Sequence, residues 1–333
     1  METQPDGASQ HTGAVVIDGL NISKWSRAVF ADMAAGGITA ANCTCSVWEG
    51  FQDTMRNIGQ WKRWFRENAD LILQVRSAED ILRAKRDGRV GIILGWQNTS
   101  AMDGDIRTLE LFHDVGVRVV QLTYNTQNLV GAGCLERVDG GLSDFGAEVV
   151  GELNRLGMLI DLSHVGPLTA RQAIGHSRQP VCYTHVAPRA LHDHPRNRTD
   201  EELRFMAERG GFIGVSTYPL FLPRGYDSTL DDAVVAIEHV IGIAGEDSVG
   251  FGTDFLQDQD QAFLDWVAHD KGTARRVLVR RGEGKPPMPK GLERLSDFPN
   301  LATAMQRRGW NPSRIRKILG GNWLRLFREV WRG

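Results

Sequence analysis

Two successive apolar runs end in histidine. "LIDLSH" (Leu159–His164) ends in His164, and "VCYTHV" (Val181–Val186) carries His185 near its end. Imidazoles at the ends of neighbouring strands can converge on one point, the usual start of a zinc site built from nitrogen ligands. Asp254, in "GFGTDF", ends a third apolar run. It is read as catalytic, a carboxylate that takes a proton from an activated water and passes it to a leaving amine. Arg196, in "HDHPRNRTDEE", offers a planar fork for a substrate carboxylate. The competing reading is a surface arginine paired with Asp193 or Asp200. His192 and His194, beside it, read as surface residues.

Such groups need a frame that brings strand ends together. Eight apolar, strand-like runs can be marked: Val15–Leu20, Ile38–Cys45, Val90–Gln97, Val117–Tyr124, Leu159–His164, Val181–Val186, Gly211–Thr217 and Ser248–Phe255. Most lack alternation, as strands buried on both faces of a parallel sheet do. Amphipathic stretches lie between them. One is capped by Ser77 and stopped at Gly88, another ends at Gly157, and a third runs from the Thr199 cap to Gly210. The pattern predicts an α/β fold, a (β/α)8 TIM barrel, in which catalytic groups sit at the C-terminal strand ends. A doubly wound sheet is the alternative, weakened by the lack of a GxGxxG after the first run. Residues 1–12 are expected to be a flexible lead-in and 13–333 one barrel domain. A basic, Pro/Gly-rich insertion at about 256–292 reads as a solvated excursion or subunit contact, with a lid over the barrel mouth as the sharper alternative.

The bulk properties exclude some partners. The 333 residues carry a net charge of −2, with 41% hydrophobic and 24% charged residues. That gives no electrostatic case for nucleic acid or a membrane surface. No apolar run has membrane-span length, and the polar start does not read as a signal peptide. Cys43, Cys45, Cys134 and Cys182 form no CxxC pair, which suits free thiols and a cytoplasmic location.

Longer blocks carry a resemblance. "GLSDFGAEVVGELNRLGMLIDLSHVG", "THVAPRALHDHPRN", "GGFIGV", "VGFGTDF" and "KILGGNWLRLF" are similar to the renal-type (membrane) dipeptidases, zinc peptidases of the amidohydrolase-like barrel group. The likeness runs from Asp18 to near the C-terminus. It implies that His164 and His185 match the histidines of the second of two zinc ions, Arg196 the arginine that binds the substrate carboxylate, and Asp254 the aspartate that moves a proton. A dimer is also expected.

The departures from that pattern concentrate on the other metal. Where the resemblance calls for a DGHND-like motif, this chain reads "DGLNI", with Leu20 and Ile22 at the two ligand positions. Apolar side chains cannot hold zinc. Gln97 stands nearest the position of a bridging glutamate, and Tyr124 replaces a histidine that contacts the reacting substrate. The expectation is therefore one zinc ion or none. Cys134 or Glu136, in "GAGCLERVDGG", is a possible additional ligand, although a lone cysteine in a Gly-rich loop is more often simply buried.

Tyr124 is assigned a catalytic role, and Gln97, Asn98 and Asn125 are expected to bind substrate as neutral hydrogen-bonding groups. Trp25, Trp48 and Trp96 lie near the same ends and offer an apolar or cation-binding wall, with core packing as the plainer reading. The expected activity is hydrolysis of an amide or peptide-type bond in a small carboxylated substrate. The alternatives are a metal-free or mononuclear lyase or isomerase, and a non-catalytic ligand-binding barrel.

Overall fold

The structure, a computed structural model, describes residues 7–278 and 288–331. Among the described residues nine strands form one parallel sheet: β1 (Ile17–Asn21), β2 (Ala40–Ser46), β3 (Ile72–Gln74), β4 (Val90–Trp96), β5 (Val117–Gln121), β6 (Leu159–Asp161), β7 (Cys182–Val186), β8 (Phe212–Ser216) and β9 (Val249–Gly252). Eight follow the order β1-β2-β4-β5-β6-β7-β8-β9. The ends meet where Ile22 N donates to Phe255 O at 2.9 Å and Asp254 N to Leu20 O at 3.0 Å. The eight staves and their surrounding helices make a (β/α)8 barrel, as the run pattern predicts.

Strand β3 was not anticipated. It pairs with Val90–Ile92 of β4, while β5 pairs with Leu94–Trp96, so the two share one edge of that stave. Three residues of "LILQV" are too short a run to stand out. The terminal lead-in also differs from expectation, because Gly7–Gly13 is helical. His11 is buried there with Nε2 2.7 Å from Gly36 O, and that contact ties the helix to the barrel.

The helix punctuation is as the sequence indicates. Ser77 and Asp80 form a capping box, and Gly88 closes that helix at φ 68°. Thr199 and Glu202 cap the helix Asp200–Glu208 in the same way. The lower end of the barrel is plugged by Trp323, whose Nε1 donates to Phe251 O at 2.9 Å. A Cβ on Gly19 or Gly250 would lie 2.6 or 2.8 Å from the Trp323 ring. A Cβ on Gly214 or Gly252 would run into Thr184 O. Glycine on β8 and β9 therefore leaves room inside the barrel for the β7 backbone at Thr184.

Part of the insertion packs against the upper end of the barrel. The helix Gln261–Ala268 and Leu278 cover the mouth with Phe263, Val267 and Leu278. They are held at one side by Lys24–Asp260 at 2.9 Å and at the other by Thr126 Oγ1 to Asp270 at 2.7 Å. Residues 279–287, the rest of the expected Pro/Gly-rich stretch, lie outside the described residues.

Candidate active site

The upper seam between β6 and β7 is held by side chains. Only Asp161 and Cys182 pair as ladder partners. Above them Asp161 Oδ1 accepts from Thr184 N at 2.9 Å, and Ser163 Oγ accepts from His185 N at 3.0 Å. This fixes the backbone that carries both histidines. Two buried arginines grip the same backbone from the loop after β7. Arg196 donates to Ser163 O and, at 3.2 Å, to His185 O. Arg198 donates to Leu162 O at 3.1 Å and Val165 O at 2.5 Å.

The imidazoles consequently meet. His164 Nε2 lies 3.0 Å from His185 Nε2. On the far side of each ring, His164 Nδ1 is 2.7 Å from Asn125 Oδ1, and His185 Nδ1 is 2.7 Å from Thr184 Oγ1. Thr184 donates in turn to Asp161 Oδ2 at 2.6 Å. An amide oxygen cannot donate, and a hydroxyl already donating to a carboxylate accepts. Both Nδ1 atoms therefore carry the hydrogen, and both Nε2 lone pairs point at the same space. Burial first, and the neighbouring Arg196 charge next, push both imidazoles well below the ordinary histidine range. They are neutral at pH 7, the form that binds a metal. Facing lone pairs repel unless a cation or a shared proton lies between them, so the donor chemistry of this pair is compatible with a metal ion.

Beside His164 a small cavity of about 40 Å³ is lined by that ring together with Tyr124, Gln97, Arg196, Asp254 and Ile22, among others; His185 lies behind its wall. Tyr124 stacks on His164 with centroids 4.2 Å apart. Gln97 donates to Thr44 Oγ1 at 3.0 Å. Asp254 is held at φ 56° and Asn125 at φ 61°, left-handed backbone that Asp and Asn tolerate better than most residues. Arg196 is 1% exposed, and its Nε–H has no acceptor among the described residues. Its surface-pair alternative does not hold: Asp193 binds Arg189 at 2.6 Å and Asp200 binds His239 at 2.9 Å. His194 is no free surface residue either, since its Nδ1 accepts from Arg196 N at 3.1 Å.

Several expected residues lie elsewhere. Asn98 accepts from Asn128 Nδ2 at 2.8 Å and lines a separate groove. Asn125 faces His164 rather than the cavity. Cys134 Sγ sits 3.7 Å from Asn125 Oδ1, on the Nδ1 side of His164 and away from the facing Nε2 atoms. Glu136 accepts from Gln127 N at 3.0 Å and approaches Arg275 at 3.5 Å. Among the described residues no group of three His, Cys, Asp or Glu side chains could hold a metal, so neither Cys134 nor Glu136 completes a site with the histidines. Trp96 packs edge-on against Phe112 in the core. Leu20 and Ile22 are both buried, and Ile22 forms part of the cavity wall.

Asp161, Ser163, Thr184 and Arg198 support the site without standing out in the sequence as candidates. A carboxylate inside an otherwise apolar strand, "LIDL", was the available signal, since a fully buried Asp must have partners.

The fold and site define a (β/α)8 barrel with a two-histidine centre at its C-terminal face. Residues 22–271 and 280–332 match the sequence model of the membrane dipeptidase family, Peptidase family M19, and the chain belongs to that family. An uncharacterized dipeptidase of Schizosaccharomyces pombe is 30% identical over 287 residues, covering 84% of this chain and 62% of its own length. Dipeptidase tcpJ of Claviceps purpurea is 30% identical over 282 residues, covering 84% and 60%. The chain thus spans about three fifths of the length of these curated relatives. The crystal structure of an amidohydrolase from Pseudomonas aeruginosa is 50% identical, with a TM-score of 0.96, covering 99% of this chain and all of that one.

Proposed function

We propose that the chain hydrolyses an amide or peptide-type bond in a small carboxylated substrate, with at most one metal ion, held by His164 and His185. The observation that carries this is the 3.0 Å Nε2–Nε2 approach with an oxygen acceptor behind each ring. Family membership supports the peptide-type bond. A bound divalent ion such as zinc would supply Lewis acidity at the carbonyl. Leu20 and Ile22 support the limit of one ion, because neither apolar side chain is a ligand.

The chain's own groups would act as follows. Arg196, its Nε–H unspent, holds the substrate carboxylate. Gln97 binds the neutral polar part of the substrate. Water attacks the carbonyl carbon, and its proton passes to the Asp254 carboxylate. Tyr124 donates to the oxygen that gains charge. As the C–N bond breaks, Asp254 delivers that proton to the departing nitrogen, giving an acid and an amine. Phe263, Val267 and Leu278 at the barrel mouth keep other water out.

A second reading rests on the same 3.0 Å distance, which is also that of a hydrogen bond. A run from Asp161 through Thr184 and His185 to His164 would then relay a proton in a metal-free reaction. Hydrolysis of a dipeptide panel before and after chelation separates the two. Activity lost on chelation and restored by zinc is expected; activity indifferent to chelation would overturn the metal-dependent reading.

A further inference from the structure

A second, larger cavity of about 280 Å³ adjoins the first at the ends of β1 and β2, and the two share Ile22 and Phe263 in their walls. Its walls are aromatic. Trp25 and Trp61 lie 5.1 Å apart, and Trp61 meets Trp64 edge-on at 5.0 Å. The helix Gln261–Ala268 contributes Phe263 and Trp266, 5.8 Å apart. Glu49 lines the same cavity. Its carboxylate is fixed by Val47 N at 2.7 Å, Trp48 N at 3.1 Å and Asn57 Nδ2 at 3.1 Å. No described Lys, Arg or His pairs with it. Lys24, also in the cavity wall, is already bound to Asp260.

Ring faces and one immobilised, unpaired carboxylate are the two components that select an organic cation. A purely apolar ligand would gain nothing from Glu49, and an anion would be repelled by it. We infer that this cavity is a subsite for an alkylammonium group. It deepens the proposed function, on which it rests only in making that group part of the substrate: a molecule with a carboxylate for Arg196, a scissile amide, and a positively charged side group.

The test is a titration of the whole chain with choline and with its uncharged carbon isostere, 3,3-dimethylbutan-1-ol, at constant ionic strength. Binding is read by tryptophan fluorescence and calorimetry. Choline should bind at least about tenfold more tightly than the isostere. Glu49→Gln, which keeps an acceptor for the backbone N–H groups, should remove most of that preference, and Trp64→Leu should weaken choline at least about tenfold. His164→Ala should leave choline binding unchanged, so loss of hydrolysis and loss of the cation site are separately visible. Equal binding of choline and its isostere, no binding of either, or a Glu49→Gln variant that keeps the preference would overturn the proposal.

Discussion

His185 and Asp161, on neighbouring staves, are joined through one hydroxyl: His185 Nδ1 to Thr184 Oγ1 at 2.7 Å, and Thr184 Oγ1 to Asp161 Oδ2 at 2.6 Å. That relay fixes which ring nitrogen of His185 is left bare. Replacing Thr184 by Val keeps the shape and deletes the acceptor. Metal affinity is expected to fall about 10–100-fold, as is usual when the partner behind a ligating histidine is removed. Competition with a chelator of known affinity measures it; unchanged affinity would mean that the tautomer is set by something else.

Asp254→Asn keeps a side chain that tolerates φ 56° and removes the proton acceptor. Turnover should drop by about 10²–10⁴, with little change in melting temperature. A variant that loses stability and activity together would make Asp254 a structural residue.

Arg196→Lys removes the fork that reaches Ser163 O and His185 O. A destabilisation of about 1–3 kcal/mol is expected from carbonyls left unpaired, together with a raised KM for carboxylated substrates. The KM effect should vanish for a substrate whose carboxylate is amidated. If KM rises equally for both substrates, the arginine does not read the carboxylate.

The barrel and its helix caps were legible because its strands read as apolar runs and the caps as Ser, Thr or Gly at their edges; His164, His185 and Asp254 stood out at run ends, and Arg196 in the loop after β7. What lay beyond reach was which way each polar group turns. Asn125 and Asn98 look alike in sequence, yet one faces a histidine and the other a neighbouring loop. Cys134 lies close to the site but behind Asn125. The segment packed at the barrel mouth was legible only as an interruption of the βα rhythm; nothing in its sequence says which surface it packs on. The support beneath the histidines was hidden because Asp161, Ser163 and Thr184 act across staves, at positions fixed by register rather than by local pattern.

Stability should also report the buried histidines. Both have folded pKa values below the ordinary 6.5, so the unfolded chain binds more protons at mildly acid pH. Their contribution is full above pH 6.5 and is lost as pH falls below it, at up to about 1.4 kcal/mol per pH unit for each proton. Asp18 acts in the opposite sense. Burial raises its carboxyl to about 7, so its contribution is full below the unfolded value near 3.8 and is lost as pH rises toward 7. Denaturant titrations of chelated protein at several pH values should therefore be compared with the His185→Gln variant. Wild type is expected to lose more stability than the variant between pH 6.5 and 5; parallel curves would contradict neutral, buried imidazoles.

The most direct measurement is the metal content of the purified chain, wild type against His164→Ala and His185→Ala, after equilibration with zinc and removal of excess. A single-ion centre on facing Nε2 atoms gives about one ion per wild-type chain and close to none in either variant. Two ions per chain, or retention of metal by both variants, would contradict it.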